Sequence, residues 1–214
     1  MKAYAMPILV LMIMSLNQAL AQSMDYPPNA ALPAPDSTRK LFGGTITNSG
    51  YGGIILKFSS INNQFAFMTG GRGACTINNR FTLGGGGYGV ANSISLPYTV
   101  EDTSRYFKMG YGGLELGYII IPGKKANIIG SLLIAAGAAF WQNDPKSDDE
   151  KLFDDDFKMF PVLEPSLYSE VILTRWMRLN TGISYRYINT DLSYMKGRDM
   201  SGFSCYFGFI FGKS

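Results

Sequence analysis

The sequence predicts an all-β fold, an eight-stranded antiparallel up-and-down transmembrane β-barrel, and three observations carry the prediction. The segment from Gly202 to Gly212 with Lys213 alternates Phe203, Cys205, Phe207, Phe209 and Phe211 with Ser204, Tyr206, Gly208, Ile210 and Gly212. Side chains at i and i+2 share one face of a strand, so one face is a column of aromatics suited to lipid and the other is mostly small or hydroxylated. The chain opens with Lys2, an apolar run from Pro7 to Leu16 and the stretch Ala19-Leu20-Ala21, the pattern of a secretory signal cleaved after Ala21 or Gln22. Between these ends, the connections joining the expected strands alternate short and long, as they do in barrels that cross an outer membrane.

Composition narrows the class. The 214 residues include 25 glycines and 14% aromatics, and mean hydropathy is only +0.04. A helical membrane bundle needs about 20 predominantly apolar residues per span. The other long apolar run, Ile128 to Trp141, is 14 residues and is interrupted by Gly130, Ser131 and Gly137. It reads as a strand with a small-residue inner face. The net charge of +3 comes without a Lys/Arg cluster interleaved with aromatics, so nucleic acid is not an expected partner. Cys75 and Cys205 fall on the second and eighth expected strands, which are not neighbours, so both are expected to be free, lipid-facing thiols.

The domain reading is a signal peptide over 1–22, a Pro-rich flexible tail over 23–40 and the barrel over 41–214. The tail carries Pro27, Pro28, Pro33 and Pro35 with no periodic pattern, a composition that does not build a core, and it is expected to trail into the periplasm. Eight strands follow: Tyr51 to Ser60, Gln64 to Ile77, Arg80 to Asn92, Arg105 to Ile121, Asn127 to Gln142, Phe157 to Leu173, Met177 to Asn189 and Gly202 to Lys213. Each is long enough to cross a bilayer at the tilt that barrels require. Connections two, four and six are short, at Asn78-Asn79, Pro122 to Lys125 and Thr174 to Trp176. Connections three, five and seven are long, at Ser93 to Ser104, Asn143 to Asp156 and Thr190 to Ser201. The first connection, Ile61-Asn62-Asn63, departs from the alternation and is expected to be a tight outer hairpin.

Strand faces follow from parity. Strand seven turns Met177, Leu179, Ile183, Tyr185 and Tyr187 outward against Arg178, Asn180, Gly182, Ser184 and Arg186 inward. Strand six sets Leu163, Leu167, Val171 and Leu173 against Glu164, Ser166, Tyr168 and Glu170; strand two sets Phe65, Phe67 and Ile77 against Gln64, Arg72 and Thr76. An Arg or Lys facing lipid at mid-depth costs about 2 to 4 kcal/mol, so the charged set belongs inside. Phe81, Tyr118, Trp176 and Phe211 near one end, and Phe65, Phe107, Phe140 and Tyr187 near the other, are expected to form two interfacial girdles.

The interior set contains the charge network Lys57, Arg72, Glu115, Glu164, Glu170, Arg178 and Arg186. Eight strands enclose a space that side chains fill, and buried charges need partners. An ion-paired structural plug is therefore expected. A symmetric turn at Thr174 to Trp176 puts residues whose numbers sum to about 350 opposite one another, setting Glu164 across from Arg186. The functional alternative for the same charges is a narrow channel or small-ligand carrier.

Three features bear on other activities. Gly84, Gly86 and Gly89 match G-x-G-x-x-G, but no helix pattern follows to hold a pyrophosphate. Those glycines instead make room for Arg72, which the turn at Asn78-Asn79 places opposite Gly86. The fifth connection crowds Asp148, Asp149, Glu150, Asp154, Asp155 and Asp156, oxygen donors that could hold calcium; without EF-hand spacing the reading is a solvated, self-repelling loop. The chain has no histidine, the usual base or orienting partner of membrane hydrolases. Glu164 and Glu170 lie six residues apart on one strand, about 20 Å and beyond the roughly 5 to 9.5 Å of glycosidase pairs. Neither enzyme activity, nor a cofactor, nor a resident metal is expected.

With its signal sequence, its eight alternating strands and its terminal Phe207-x-Phe209-x-Phe211 pattern, the chain resembles the small outer-membrane β-barrels of Gram-negative bacteria, the OmpA and OmpX type. The segment Gly70 to Gly89, Gly-Gly-Arg-Gly-Ala-Cys-Thr-Ile-Asn-Asn-Arg-Phe-Thr-Leu-Gly-Gly-Gly-Gly-Tyr-Gly, is similar to a functionally uncharacterised group among them. The resemblance implies outer-membrane lipid as environment, the barrel assembly machinery as partner during insertion, and a monomer. It implies no single activity. The expected role is structural or surface-interacting, exercised by long outer loops on a rigid scaffold.

Overall fold

The computed structural model describes residues 38–41, 44–78, 80–95, 105–123, 125–143, 158–190 and 195–212. The expected signal peptide, most of the tail, the acidic run of the fifth connection and Lys213 lie outside them. The elements are β1 (Thr38–Leu41), β2 (Gly44–Ile61), β3 (Gln64–Ile77), β4 (Phe81–Val90), β5 (Ile94–Ser95), β6 (Arg105–Ile121), β7 (Ala126–Asn143), β8 (Lys158–Ile172), β9 (Met177–Ile188), the short helix α1 (Gly197–Met200) and β10 (Gly202–Gly212). All strand pairs are antiparallel, in the order β2-β10-β9-β8-β7-β6-β4-β3, and β3 pairs back onto β2. The sheet therefore closes on itself as an eight-stranded up-and-down barrel. β1 doubles back on β2 with Leu41 opposite Gly44, so a strand begins within the segment read as tail. β5 adds a two-residue bridge on β6, Ile94 opposite Phe107.

Local chemistry sets the register. Asn62 and Asn63 have φ of 49° and 56°, the double left-handed conformation of a type I′ turn, which asparagine tolerates and which matches strand twist. This is why the first outer connection is two residues long. At the opposite end Asn78 is left-handed at φ 51°, and the Thr174 hydroxyl accepts the amide of Met177 at 3.1 Å. β4 stops at Val90 rather than Asn92 because the Asn92 side chain takes over the ladder: its oxygen accepts the Phe67 amide at 2.7 Å and its nitrogen donates to the Phe65 carbonyl at 2.8 Å. In β6, Ile119 keeps the inward parity of Glu115, and a bulge between Ile119 and Ile121 turns Ile121 outward beside Ile120.

The outer surface is an apolar belt in which Ile54, Leu114 and Ile134 are at least half exposed. One rim carries Phe81 against Tyr118 and Trp176 stacked on Phe211 at 5.9 Å. The other carries Phe65, Phe140 and Tyr187. Three expectations are corrected. Phe107 does not join the outer girdle: it is fully buried, because on β6 the parity that faces out carries Lys108, Gly110 and Gly112, leaving Phe107, Met109 and Tyr111 inside. Cys205 is on the outer face but only 2% exposed, the small thiol lying between Phe203 and Phe207 and opposite Phe58 and Ile183; Cys75 is exposed, and both are free. Val171, also of outward parity, is covered at 1% exposure.

Candidate functional site

The lumen is layered. Its outer mouth is closed by Ile61, Met68, Ile94, Phe107, Met195 and Met200, all buried. Met195 and Met200 come from the connection between β9 and β10, where α1 folds over the barrel and the Asp199 carbonyl accepts the Asn62 amide at 2.7 Å. The tight first hairpin is thus the seat on which the seventh connection rests.

Beneath this apolar layer lies Glu164, on β8. Its carboxylate accepts hydrogen bonds from the Lys57 ammonium at 2.5 Å, the Ser184 hydroxyl at 2.5 Å and the Tyr111 hydroxyl at 2.6 Å. The Lys57 ammonium also stands 3.4 Å from the centroid of the Tyr88 ring. A buried carboxylate with three donors, and an ammonium with a carboxylate and an aromatic face, have replaced most of the hydration they lost. One level down, Arg72 pairs with Glu115 at 3.0 Å and lies over the Tyr168 ring at 4.5 Å. Ser131 donates to Glu115 at 2.6 Å and shares a hydrogen bond with Ser166 at 2.7 Å. At the inner end Arg178 pairs with Glu170 at 2.9 Å and faces the Tyr51 ring.

The turn arithmetic holds: Leu163 is opposite Tyr187 and Ser166 opposite Ser184, so Glu164 and Arg186 share a level. The ion pair expected between them does not form. Glu164 reaches across the lumen to Lys57 on β2, while Arg186 turns toward the mouth, donating to the Met200 carbonyl at 2.9 Å and the Ser60 carbonyl at 3.4 Å and meeting the Met68 sulfur at 3.2 Å. In a barrel this narrow, partners are chosen across the interior as well as along the ladder, and the long Arg186 side chain also reaches the carbonyls of the folded-over connection. Arg72 stands opposite Gly86, where an added Cβ would lie 3.6 Å from the Arg72 Cβ: an alanine fits, a longer side chain competes with the arginine.

All seven charges named from sequence are buried in the lumen, and the structure brings six together as three pairs. Asn180, opposite Glu170 on the ladder, is fully buried with neither amide atom hydrogen-bonded among the described residues; Arg72 Nε and Nη1, Arg178 Nη2 and Glu170 Oε2 are likewise without a hydrogen-bond partner there. Sequence reasoning missed Tyr51, Tyr88 and Tyr111, whose rings and hydroxyls line the cations and Glu164. Their parity was readable, since Tyr111 shares its face with Glu115 and Tyr88 with Gly86, but an inward tyrosine is indistinguishable from an ordinary core aromatic without its neighbours. The six carboxylates of the acidic connection lie outside the described residues.

No family model matches the chain, and no curated protein matches it. Among solved structures it is similar to Neisserial surface protein A (NspA), with 14% identity over 78% of this chain and 97% of that one and a TM-score of 0.55. It is also similar to Ail, the attachment invasion locus protein of Yersinia pestis, alone (12% identity, TM-score 0.44) and in complex with the heparin analogue sucrose octasulfate (11%, 0.45), each over 77% of this chain and 97% of that one. At the identity to NspA the likeness is one of fold: a small, eight-stranded, closed barrel.

Proposed function

We propose that the protein is a non-enzymatic integral barrel of a bacterial outer membrane, with a structural or surface-interaction role exercised by its outer connections. The observation that carries this reading is the pairing of an apolar outer belt with an interior filled by paired charges, the reverse of a water-soluble barrel that binds its ligand inside. NspA, whose fold the chain shares, is a surface protein by name, which supports the same setting. Export by the 1–22 signal and insertion by the barrel assembly machinery through the terminal strand complete the reading. A closed sheet offers no free edge for pairing, which supports a monomer. The absence of histidine and the engagement of Glu164 and Glu170 in ion pairs support a non-catalytic role.

The test is cell fractionation followed by electrophoresis of heated and unheated samples. The expected result is recovery with the outer membrane and a mobility that changes on heating. Water solubility without surfactant, or circular dichroism of a mainly helical chain, overturns the reading. A small-ligand carrier is the second reading, favoured by the buried polar atoms of Asn180, Arg72 and Arg178 that lack hydrogen-bond partners. It predicts a ligand-induced rise in melting temperature in a screen of small anions.

A further inference from the structure

The acidic residues outside the lumen are concentrated in the long connections, which also carry Lys146, Lys151, Lys196 and Arg198. The three long outer connections hold eleven of the chain's 16 Asp and Glu residues. The short turns at the other end hold Arg80, Lys124, Lys125 and Arg175, and their sequence contains no Asp or Glu. The described turns place their cations around the rim. The Arg80 carbonyl accepts the amide of Ile119 on β6, the Lys125 carbonyl accepts that of Ile172 on β8, and the Trp176 carbonyl accepts that of Gly212 on β10, so each turn is pinned to the strand beyond it.

The aromatic rim holds Arg80 at the edge of the apolar belt, and Arg175 adjoins the rim residue Trp176 in sequence. Arg80 is exposed, and its Nη1 donates to the Tyr118 hydroxyl at 3.1 Å; Tyr118 packs against Phe81 with ring centroids 5.1 Å apart. Arg175 is exposed beside Trp176, whose indole lies nearly parallel to Phe211 at 17°. Tyrosine and tryptophan sit at the headgroup level of a bilayer, so guanidinium groups attached there meet phosphates rather than acyl chains or bulk water. A planar guanidinium matches a phosphate through two parallel hydrogen bonds.

We infer that this rim is a binding surface for anionic phospholipid headgroups of the leaflet facing the short turns. The inference rests on the membrane reading above. It assigns a phosphate-bearing lipid to the cationic rim as its partner. Each cation near an anionic surface contributes a preference of about fivefold, and the attraction is screened by salt.

Trp176 reports on the site directly. The chain has two tryptophans, so full-length protein carrying Trp141→Phe leaves the rim indole as the only tryptophan, excited selectively over the tyrosines. It is folded into phosphatidylcholine vesicles containing a minor fraction of brominated phosphatidylglycerol or, in parallel, brominated phosphatidylcholine. The expected result is stronger quenching by the brominated phosphatidylglycerol, lost in high salt and in the variant Arg80→Gln/Lys125→Gln/Arg175→Gln, which still folds by heat-modifiability and is still quenched by the zwitterionic lipid. Equal quenching of the parent by the two lipids overturns the inference, as does a preference that survives in the variant. Absence of quenching by either lipid overturns instead the membrane reading.

Discussion

Glu164 accepts from Lys57, Ser184 and Tyr111 at once, and its removal strands a buried ammonium. Glu164→Ala is expected to lower stability by about 3 kcal/mol or more, because breaking one side of a buried pair leaves an uncompensated charge. The check is the midpoint of heat-modifiability in detergent, and a variant that melts with the parent contradicts the plug. A double-mutant cycle separates the partners. Lys57→Met with Glu164→Gln should show a coupling of about 1 kcal/mol or more, whereas Arg186→Met with Glu164→Gln should show a smaller one, since Arg186 gives donors to Met200 and Ser60 and meets Glu164 only through their shared neighbour Tyr111.

At the scale of elements, the β2–β3 hairpin is held by Asn62 and Asn63, both left-handed, and it supports α1 through the Asp199 carbonyl. A β-branched residue is strained in that conformation by about 1 to 3 kcal/mol. Asn63→Val should therefore destabilise the barrel while Asn63→Gly leaves it at least as stable, a pair of variants compared by unfolding in denaturant. An equal loss in both would mean that the turn conformation does not set the hairpin. Seven of the eight barrel strands were legible to within a few residues because alternation at period two is a strong signal wherever one face meets lipid; the first was not, since β2 begins at Gly44 rather than Tyr51 and pairs there with β1, where Gly44 to Gly50 shows no apolar alternation. Their departures have local causes: the Asn92 side chain replaces backbone at the end of β4, and the bulge at Ile119 reverses parity at the end of β6.

For the whole molecule, the sealed mouth and the ion-paired layers under it predict a silent barrel. Planar bilayers holding the purified protein should show no resolved openings, and reproducible single-channel steps would contradict a filled lumen. Removing residues 191–200, and with them Met195 and Met200, should leave the barrel still silent, because Lys57 and Glu164 span the interior below.

The sequence by itself determined the eight strands, the closing topology, the face of nearly every side chain and the buried position of all seven lumen charges. Each of these follows from period-two alternation and from the cost of exposing charge to lipid, both local properties of the chain. Only the tertiary structure decided who pairs with whom. Register places Glu164 and Arg186 at one level, but Lys57 arrives from β2, 107 residues away along the chain, and Tyr88 and Tyr111 arrive from two further strands. Closing the barrel brings these residues within a few ångströms across the lumen, a distance that no neighbouring residue on the chain or the ladder records.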